Sequence, residues 1–295
     1  MSKEIPVIWL AASACTGCSI SLLNSASPRI ENILLDEVVP GVHLNLRFHQ
    51  TIMAGSGEPV VRVLEEAARK DGYVLAVDGA IPTAKGGSYC VMGERGGRPV
   101  SIEDRFIELA RNALAILAVG TCSSFGGIPA AVPNPTGCQP LKAVMEAHKV
   151  SKPLIHVPGC PPHPDWVVGT ISNILVGGLP TASDLDDNLR PLAFYGKLIH
   201  ENCPRRAYFD EGRFAKKFGD EGCLYELGCK GPITYADCPL RRWNNGTNWV
   251  IGAGAPCNGC TQPEFPDLLA PFYEKLVDVE LPIVGAYWAA RKEAA

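Results

Sequence analysis

The chain has 295 residues, 46% hydrophobic and 20% charged, with a formal net charge of −4. This composition describes a globular protein with core enough for two domains and excludes a disordered chain. Lys and Arg are scattered apart from short pairs such as Arg205-Arg206, Lys216-Lys217 and Arg241-Arg242, so nothing suggests nucleic acid as a partner. No apolar run reaches the ~18 residues of a membrane helix, so no transmembrane segment is expected. No export signal opens the sequence. The expectation is a cytoplasmic protein or one at the cytoplasmic face of a membrane, or a periplasmic protein whose twin-arginine leader has been removed.

In chain order, residues 5 to 180 alternate strand-like and helix-like segments. The apolar runs are Pro6–Ala12, Val42–Phe48, Tyr73–Asp78, Ala115–Gly120 and Pro153–Val157. Helical periods lie around Glu58–Lys70, Ile102–Asn112, Leu141–His148 and Asp165–Val176. Five strand-like runs alternating with helical segments imply an α/β fold, a doubly wound parallel sheet whose strands are uniformly apolar because both faces are covered. A glycine-rich excursion from Ile81 to Pro99 crosses the sheet edge. No G-x-G-x-x-G follows the first strand, which disfavours a bound nucleotide. After Gly177-Gly178-Leu179-Pro180 and the acidic Asp184 to Asp187 the character changes, and the domain boundary is placed near residue 185, giving domains 1–185 and 186–295. Asp267 to Leu276 reads as one short amphipathic helix, and the tail with Tyr287 and Trp288 is placed to pack on a partner subunit.

Twelve cysteines are present, with C-x2-C at Cys15/Cys18 and at Cys257/Cys260, a spacing that suits a metal better than a disulfide. Cys15 and Cys18 follow the first strand, Cys122 the fourth and Cys160 the fifth. All four therefore sit at carboxyl ends of strands, the edge where open α/β sheets bind ligands, and suit a 4Fe-4S cluster. Gly17, Gly126, Gly127 and Gly159 are expected to let the backbone approach that cluster, and Pro161 and Pro162 to stiffen its last loop.

From His200 to Cys260 seven further ligands fall within sixty-one residues rich in Gly, Pro and Asn, with no sustained period. His200, Cys203, Cys223 and Cys229 suit a second 4Fe-4S cluster. Cys238, Cys257 and Cys260 offer three thiolates and suit a 3Fe-4S cluster. Neutral imidazole in place of a thiolate makes the second cluster less negative and easier to reduce. Zinc is the competing metal, but it wants compact sets of four, whereas these ligands divide as four, four and three. Cys90 and Cys138 fit no set and read as buried or half-buried thiols, and His156 and His163 are assigned no role. Centres with different ligand sets in one chain suggest a path for electrons.

These motifs together resemble the small subunit of nickel–iron hydrogenases over essentially the whole chain. The matching stretches are Ala-Cys-Thr-Gly-Cys-Ser (14 to 19), Gly-Thr-Cys (120 to 122), Pro-Gly-Cys-Pro-Pro (158 to 162), His-x2-Cys (200 to 203), Gly-Cys-Lys-Gly-Pro (228 to 232) and Pro-Cys-x2-Cys (256 to 260). The resemblance implies a flavodoxin-like first domain with a proximal 4Fe-4S cluster on Cys15, Cys18, Cys122 and Cys160. It implies a second, irregular domain with a distal 4Fe-4S cluster on His200, Cys203, Cys223 and Cys229 and a medial 3Fe-4S cluster on Cys238, Cys257 and Cys260. The implied role is electron transfer from H2 oxidation at a nickel–iron site in a large partner subunit to an external carrier such as a cytochrome or quinone-linked protein. A dimer of such heterodimers is a further expectation. The chain departs from the family's pattern in places. Gly17 and Gly127 stand where oxygen-tolerant members carry extra cysteines, Ser19-Ile20-Ser21 where many have a Glu, and Val250 where many have Pro. A hydrogen-sensing subunit, or a single-cluster quinone-oxidoreductase subunit lacking the His200–Cys260 region, are the alternatives.

Overall fold

The computed structural model describes residues 3–39, 42–69 and 72–275. The chain divides into two compact units, Met1–Pro191 and Leu192–Ala295. The segment from residue 185 belongs to the first unit: Leu185–Pro191 and Arg190–Asp186 contacts close it on itself, and His156 N of the sheet donates to Leu189 O at 2.9 Å. The boundary therefore falls after the change in sequence character.

The first unit is built on β1 (Lys3–Ala11), β2 (Glu37–Val39), β3 (Val42–His49), β4 (Val74–Asp78), β5 (Ile81–Pro82), β6 (Val91–Arg95), β7 (Arg98–Ser101), β8 (Ala115–Val119), β9 (Cys138–Gln139) and β10 (Leu154–Val157). The main sheet runs β10-β8-β4-β1-β3-β2. Its five strands β10, β8, β4, β1 and β3 are parallel, and the edge strand β2 pairs antiparallel with β3. That order of the five is the flavodoxin-like one, whose direction of winding reverses between β1 and β4. Every residue of β4 and β8 is buried, as expected of central strands covered on both faces.

The helices are α1 (Gly17–Leu23), α2 (Ile30–Leu35), α3 (Glu58–Ala68), α4 (Ile102–Asn112), α5 (Thr121–Phe125), α6 (Leu141–Ala147) and α7 (Pro164–Gly177). One core contains Ile8, Leu10, Leu75 and Val77 of the sheet with residues of α3, α4 and α6, while Val7, Trp9 and Leu44 face α1, α2 and α7. Helix α4 shows how sequence sets such an element. Ser101 Oγ caps it by accepting from Asp104 N at 3.0 Å, and acidic Glu103 and Asp104 occupy the first turn. Ile102, Phe106, Leu109 and Ala110 then recur at helical spacing and are buried. Cys138 is buried, and Cys90 is half-buried against this core.

The glycine-rich excursion has more order than its composition suggests. It contains the antiparallel hairpin β6–β7, and β5 pairs with β9. Arg95 on the hairpin reaches Glu65 of α3 and Glu108 of α4, and the nearly buried Arg105 bonds the same two carboxylates. Charge therefore anchors a segment with little apolar surface of its own.

The second unit has only short helices among its described residues: α8 (Leu192–Tyr195), α9 (Arg206–Asp210) and α10 (Cys238–Arg241). Single 3-10 turns at Ile199–Asn202, Leu224–Leu227 and Gly231–Ile233 carry much of the rest. The expected helix from Asp267 is absent. Its described part, 267–275, forms turns, and Pro271 within it has no N–H to continue a helical ladder. Leu276 and the tail with Tyr287 and Trp288 lie outside the described residues.

Two buried histidines make the first unit acid-sensitive. Burial holds the imidazoles of His49, stacked on Trp9 at 5.0 Å, and of His156 down to about 4. A folded-state value below the unfolded one means stability present above about pH 6.5 that is lost as the pH falls through about 4. Asp78, raised to about 6 by burial, acts oppositely, adding stability at low pH that is lost as the pH rises through about 6. Two histidines outweigh one carboxyl, so acid destabilises on balance. His156→Gln should flatten the fall in unfolding free energy between about pH 6.5 and pH 4, by on the order of 3 kcal/mol at most, as read by denaturant titration at each pH. An unchanged pH slope would show that His156 protonates freely in the folded protein.

Candidate metal centres

The first set of thiols lies at the carboxyl edge of the sheet, around the reversal of winding. Cys15 lies beyond the end of β1, and Cys18 is in the first turn of α1. Cys122 is in α5 directly after β8, and Cys160 follows β10. Burial pushes the Cys18 thiol well up, and Asp78, Cys122, Cys15 and Cys160 push it further, so the four sulfurs share one neighbourhood. Cys122 is driven up to about 12, by burial first and then by Cys160.

Backbone close to these sulfurs explains several glycines. Gly17 N donates to Cys15 Sγ at 3.4 Å, and a Cβ on Gly17 would sit 3.1 Å from that sulfur. Gly127 packs its Cα against Cys122, where a Cβ would lie 2.9 Å from the Cys122 nitrogen. A Cβ on Gly126 would meet Ala130 and one on Gly159 would meet Pro162, so at these two positions the missing side chain makes room for the chain's own turns. The tightest approach is at Gly120, which sequence reasoning passed over: at φ +89° its Cβ would stand 2.5 Å from Cys18 Sγ. Asp78 was also missed. It is fully buried at the end of β4, and its Oδ2 accepts from Ser19 Oγ at 3.2 Å. The available signal was one carboxylate ending the otherwise apolar Val-Leu-Ala-Val-Asp.

The second set surrounds one cavity of about 280 Å3, its open mouth included, lined by His200, Cys203, Cys223 and Cys229 with Ile199 and Ile251. His200 sits in the first 3-10 turn, Cys203 follows it, Cys223 opens the second and Cys229 comes soon after it. Burial, followed by the Arg206 charge, holds the imidazole at about 4, so the ring is neutral near pH 7. Its Nε2 is buried without a hydrogen-bond partner among the described residues. The ring stands edge-on to Phe209 at 4.6 Å, and Phe209 packs in turn on Phe214 and Tyr225. Burial raises all three thiols, Cys229 to about 11.

The third set is Cys238, at the start of α10, with Cys257 and Cys260. Burial raises the Cys257 thiol well above its ordinary value, helped by Cys229 and then Cys260, and raises Cys238, helped by Cys260 and Asp237. Gly259 N donates to Cys257 Sγ at 3.4 Å, as Gly231 N does to Cys229 Sγ at 3.5 Å. The second and third sets are neighbours: Lys230 N donates to Cys257 O at 2.8 Å.

The donor chemistry fits a polynuclear cationic centre. Buried thiols resist ionisation in the protein alone, and metal coordination removes that penalty. Among the described residues no three His, Cys, Asp or Glu are arranged around a single ion. In the second set the ligands instead face one another across a cavity, and its one imidazole presents an unbonded nitrogen.

Comparison with known proteins agrees with this architecture. Residues 15–174 match the family of the NADH ubiquinone oxidoreductase 20 kDa subunit, and residues 195–273 match the family of the C-terminal region of NiFe/NiFeSe hydrogenase small subunits. The periplasmic [NiFeSe] hydrogenase small subunit of Desulfomicrobium baculatum is 48% identical over 283 residues, covering 92% of this chain and 88% of that protein. The quinone-reactive Ni/Fe-hydrogenase small chain of Wolinella succinogenes is 41% identical, covering 94% of this chain and 76% of that one. The solved reduced, active form of the Ni-Fe-Se hydrogenase from Desulfomicrobium baculatum superposes with a TM-score of 0.86 at 48% identity, over 93% of this chain and all of the matched one. The chain belongs to the small subunits of nickel–iron hydrogenases.

Proposed function

We propose that this chain relays electrons from H2, split at a nickel–iron site in a large partner subunit, through three iron–sulfur centres to an external redox carrier. The names of its relatives allow a plain or a selenium-containing site in that partner. The carrying observation is the second set: one neutral imidazole with a free buried Nε2 and three raised thiols around a single cavity. Such a donor set suits a cluster easier to reduce than one held by four thiolates. Bound iron–sulfur clusters supply one-electron carriers that side chains lack.

On this reading the protein's own groups hold and tune. Cys15, Cys18, Cys122 and Cys160 hold the proximal 4Fe-4S cluster, with Asp78 as a buried carboxyl beside them. His200, Cys203, Cys223 and Cys229 hold the distal 4Fe-4S cluster. Cys238, Cys257 and Cys260 hold the medial 3Fe-4S cluster, since Val250 adds no thiolate. Amide donors from Gly17, Gly231 and Gly259 stabilise the sulfur charge. The region matched by the hydrogenase C-terminal family is the one a single-cluster oxidoreductase subunit would lack. The external carrier is a protein or a quinone-linked assembly. Among the described residues no helix is long and apolar enough to cross a membrane.

Metal analysis of the purified heterodimer tests the ligand sets. About eleven iron atoms should belong to this chain; about four would support a single cluster, and stoichiometric zinc would overturn the relay. Gly120→Ala, whose new Cβ stands 2.5 Å from Cys18 Sγ, should remove about four of those irons, while Gly177→Ala, which meets nothing within 4 Å, should remove none.

His200→Ala separates relay from H2 activation. Isotope exchange between H2 and water should persist, while reduction of an artificial acceptor should fall roughly tenfold or more. Parallel loss of both activities would contradict the role given to His200.

A further inference from the structure

Lys230 stands between the second and third ligand sets and is one of the largest fully buried side chains, with 1% of its surface exposed. It follows Cys229 directly, and its N–H donates to the Cys257 carbonyl at 2.8 Å, so its backbone joins one residue from each set. Its carbonyl accepts from Thr234 Oγ1 at 2.6 Å, and Gly259 lies so near that a Cβ there would be 3.3 Å from the Lys230 Cβ. The ammonium donates to the main-chain carbonyl of Glu274 at 2.7 Å. No carboxylate among the described residues pairs with it at salt-bridge distance.

A buried cation held only by a neutral carbonyl is costly unless anionic charge lies close. The anionic groups acting on it are Cys229 first, then the Glu274 carboxylate, then Cys257, so each ligand set contributes one sulfur. Neither ligand set needs this lysine to complete its donors.

Resting on the ligand sets proposed above, we propose that Lys230 is a shared potential-setting residue, whose fixed positive charge raises the reduction potentials of the distal and medial centres together. Each centre gains one unit of negative charge when it takes up an electron, and a nearby cation stabilises that reduced state. Lys230 acts by its charge alone and is neither oxidised nor reduced. Because one charge serves both centres, both levels rise together. Electrons can then enter the pair more readily.

The test is an EPR-monitored redox titration of the intact heterodimer, comparing wild type with Lys230→Met, Lys230→Gln and Lys230→Arg. Both neutral variants should retain wild-type iron and show both midpoint potentials lowered together, by about tenfold or more in the reduction equilibrium, or ~59 mV for a one-electron couple. Lys230→Arg should stay close to wild type. Full iron with unshifted potentials in the neutral variants, or a shift at one centre alone, overturns the proposal. So does loss of iron from both neutral variants, which would make the lysine a folding element. Wild-type protein carrying markedly fewer than about eleven irons in this chain would instead overturn the ligand sets themselves.

Discussion

The constraint on which the structure depends is the burial of thiols in places where a lone thiolate is unfavourable. Cys18, Cys122, Cys229, Cys238 and Cys257 are all pushed upward, with burial the largest cause each time. Neighbouring sulfurs push most of them further, so crowding them together aggravates the cost. A metal centre reverses both effects at once, since it neutralises the sulfurs and prefers them close. The protein supplies sites that are poor as thiols and good as ligands.

The two units meet this constraint differently. In the first, a hydrophobic parallel sheet fixes the ends of β1, β8 and β10, and its packing places the candidate ligands. Gly120 then lets a strand end approach Cys18 Sγ where any side chain would intrude. In the second, the described elements are single turns and very short helices, and the ligands themselves open or close several of them. Cys223 caps one 3-10 turn and Cys203 ends another. A Cys-x-Gly step recurs in both units, at Cys15, Cys229 and Cys257, and each time the glycine N–H turns back to the sulfur. This local device replaces the long-range order that the second unit lacks.

The legible part of the sequence followed from strong, short signals. Runs such as Ala115–Val119 are apolar throughout because both faces are buried, and C-x2-C announces a metal through spacing alone. The five parallel strands and the family were therefore accessible. What escaped depends on partners distant in sequence. Asp78 is one acidic residue among many until Ser19 and Cys18 are brought to it. The β6–β7 hairpin looked like punctuation because its anchors, Glu65 and Glu108, lie on helices outside it. The helix expected from Asp267 failed because an amphipathic count weighed more than Pro271, which cannot donate in a helical ladder.

This contrast bears on how the chain becomes functional. The first unit holds a continuous core from Ile8 through Val77 to Met145, built without any of the candidate ligands. The second buries Tyr195, Leu224, Trp249 and Leu269, but its turns converge on sulfur and imidazole donors rather than on a sheet. Binding free energy at such donors is folding free energy. Lys230 adds to that linkage, because its buried ammonium gains the charge of Cys229 and Cys257, beyond that of Glu274, when those thiols are ionised. On the proposed ligand sets, metal loading, ordering of the second unit and burial of that cation would be coupled, so the carriers and the electrostatic field around them would be assembled together.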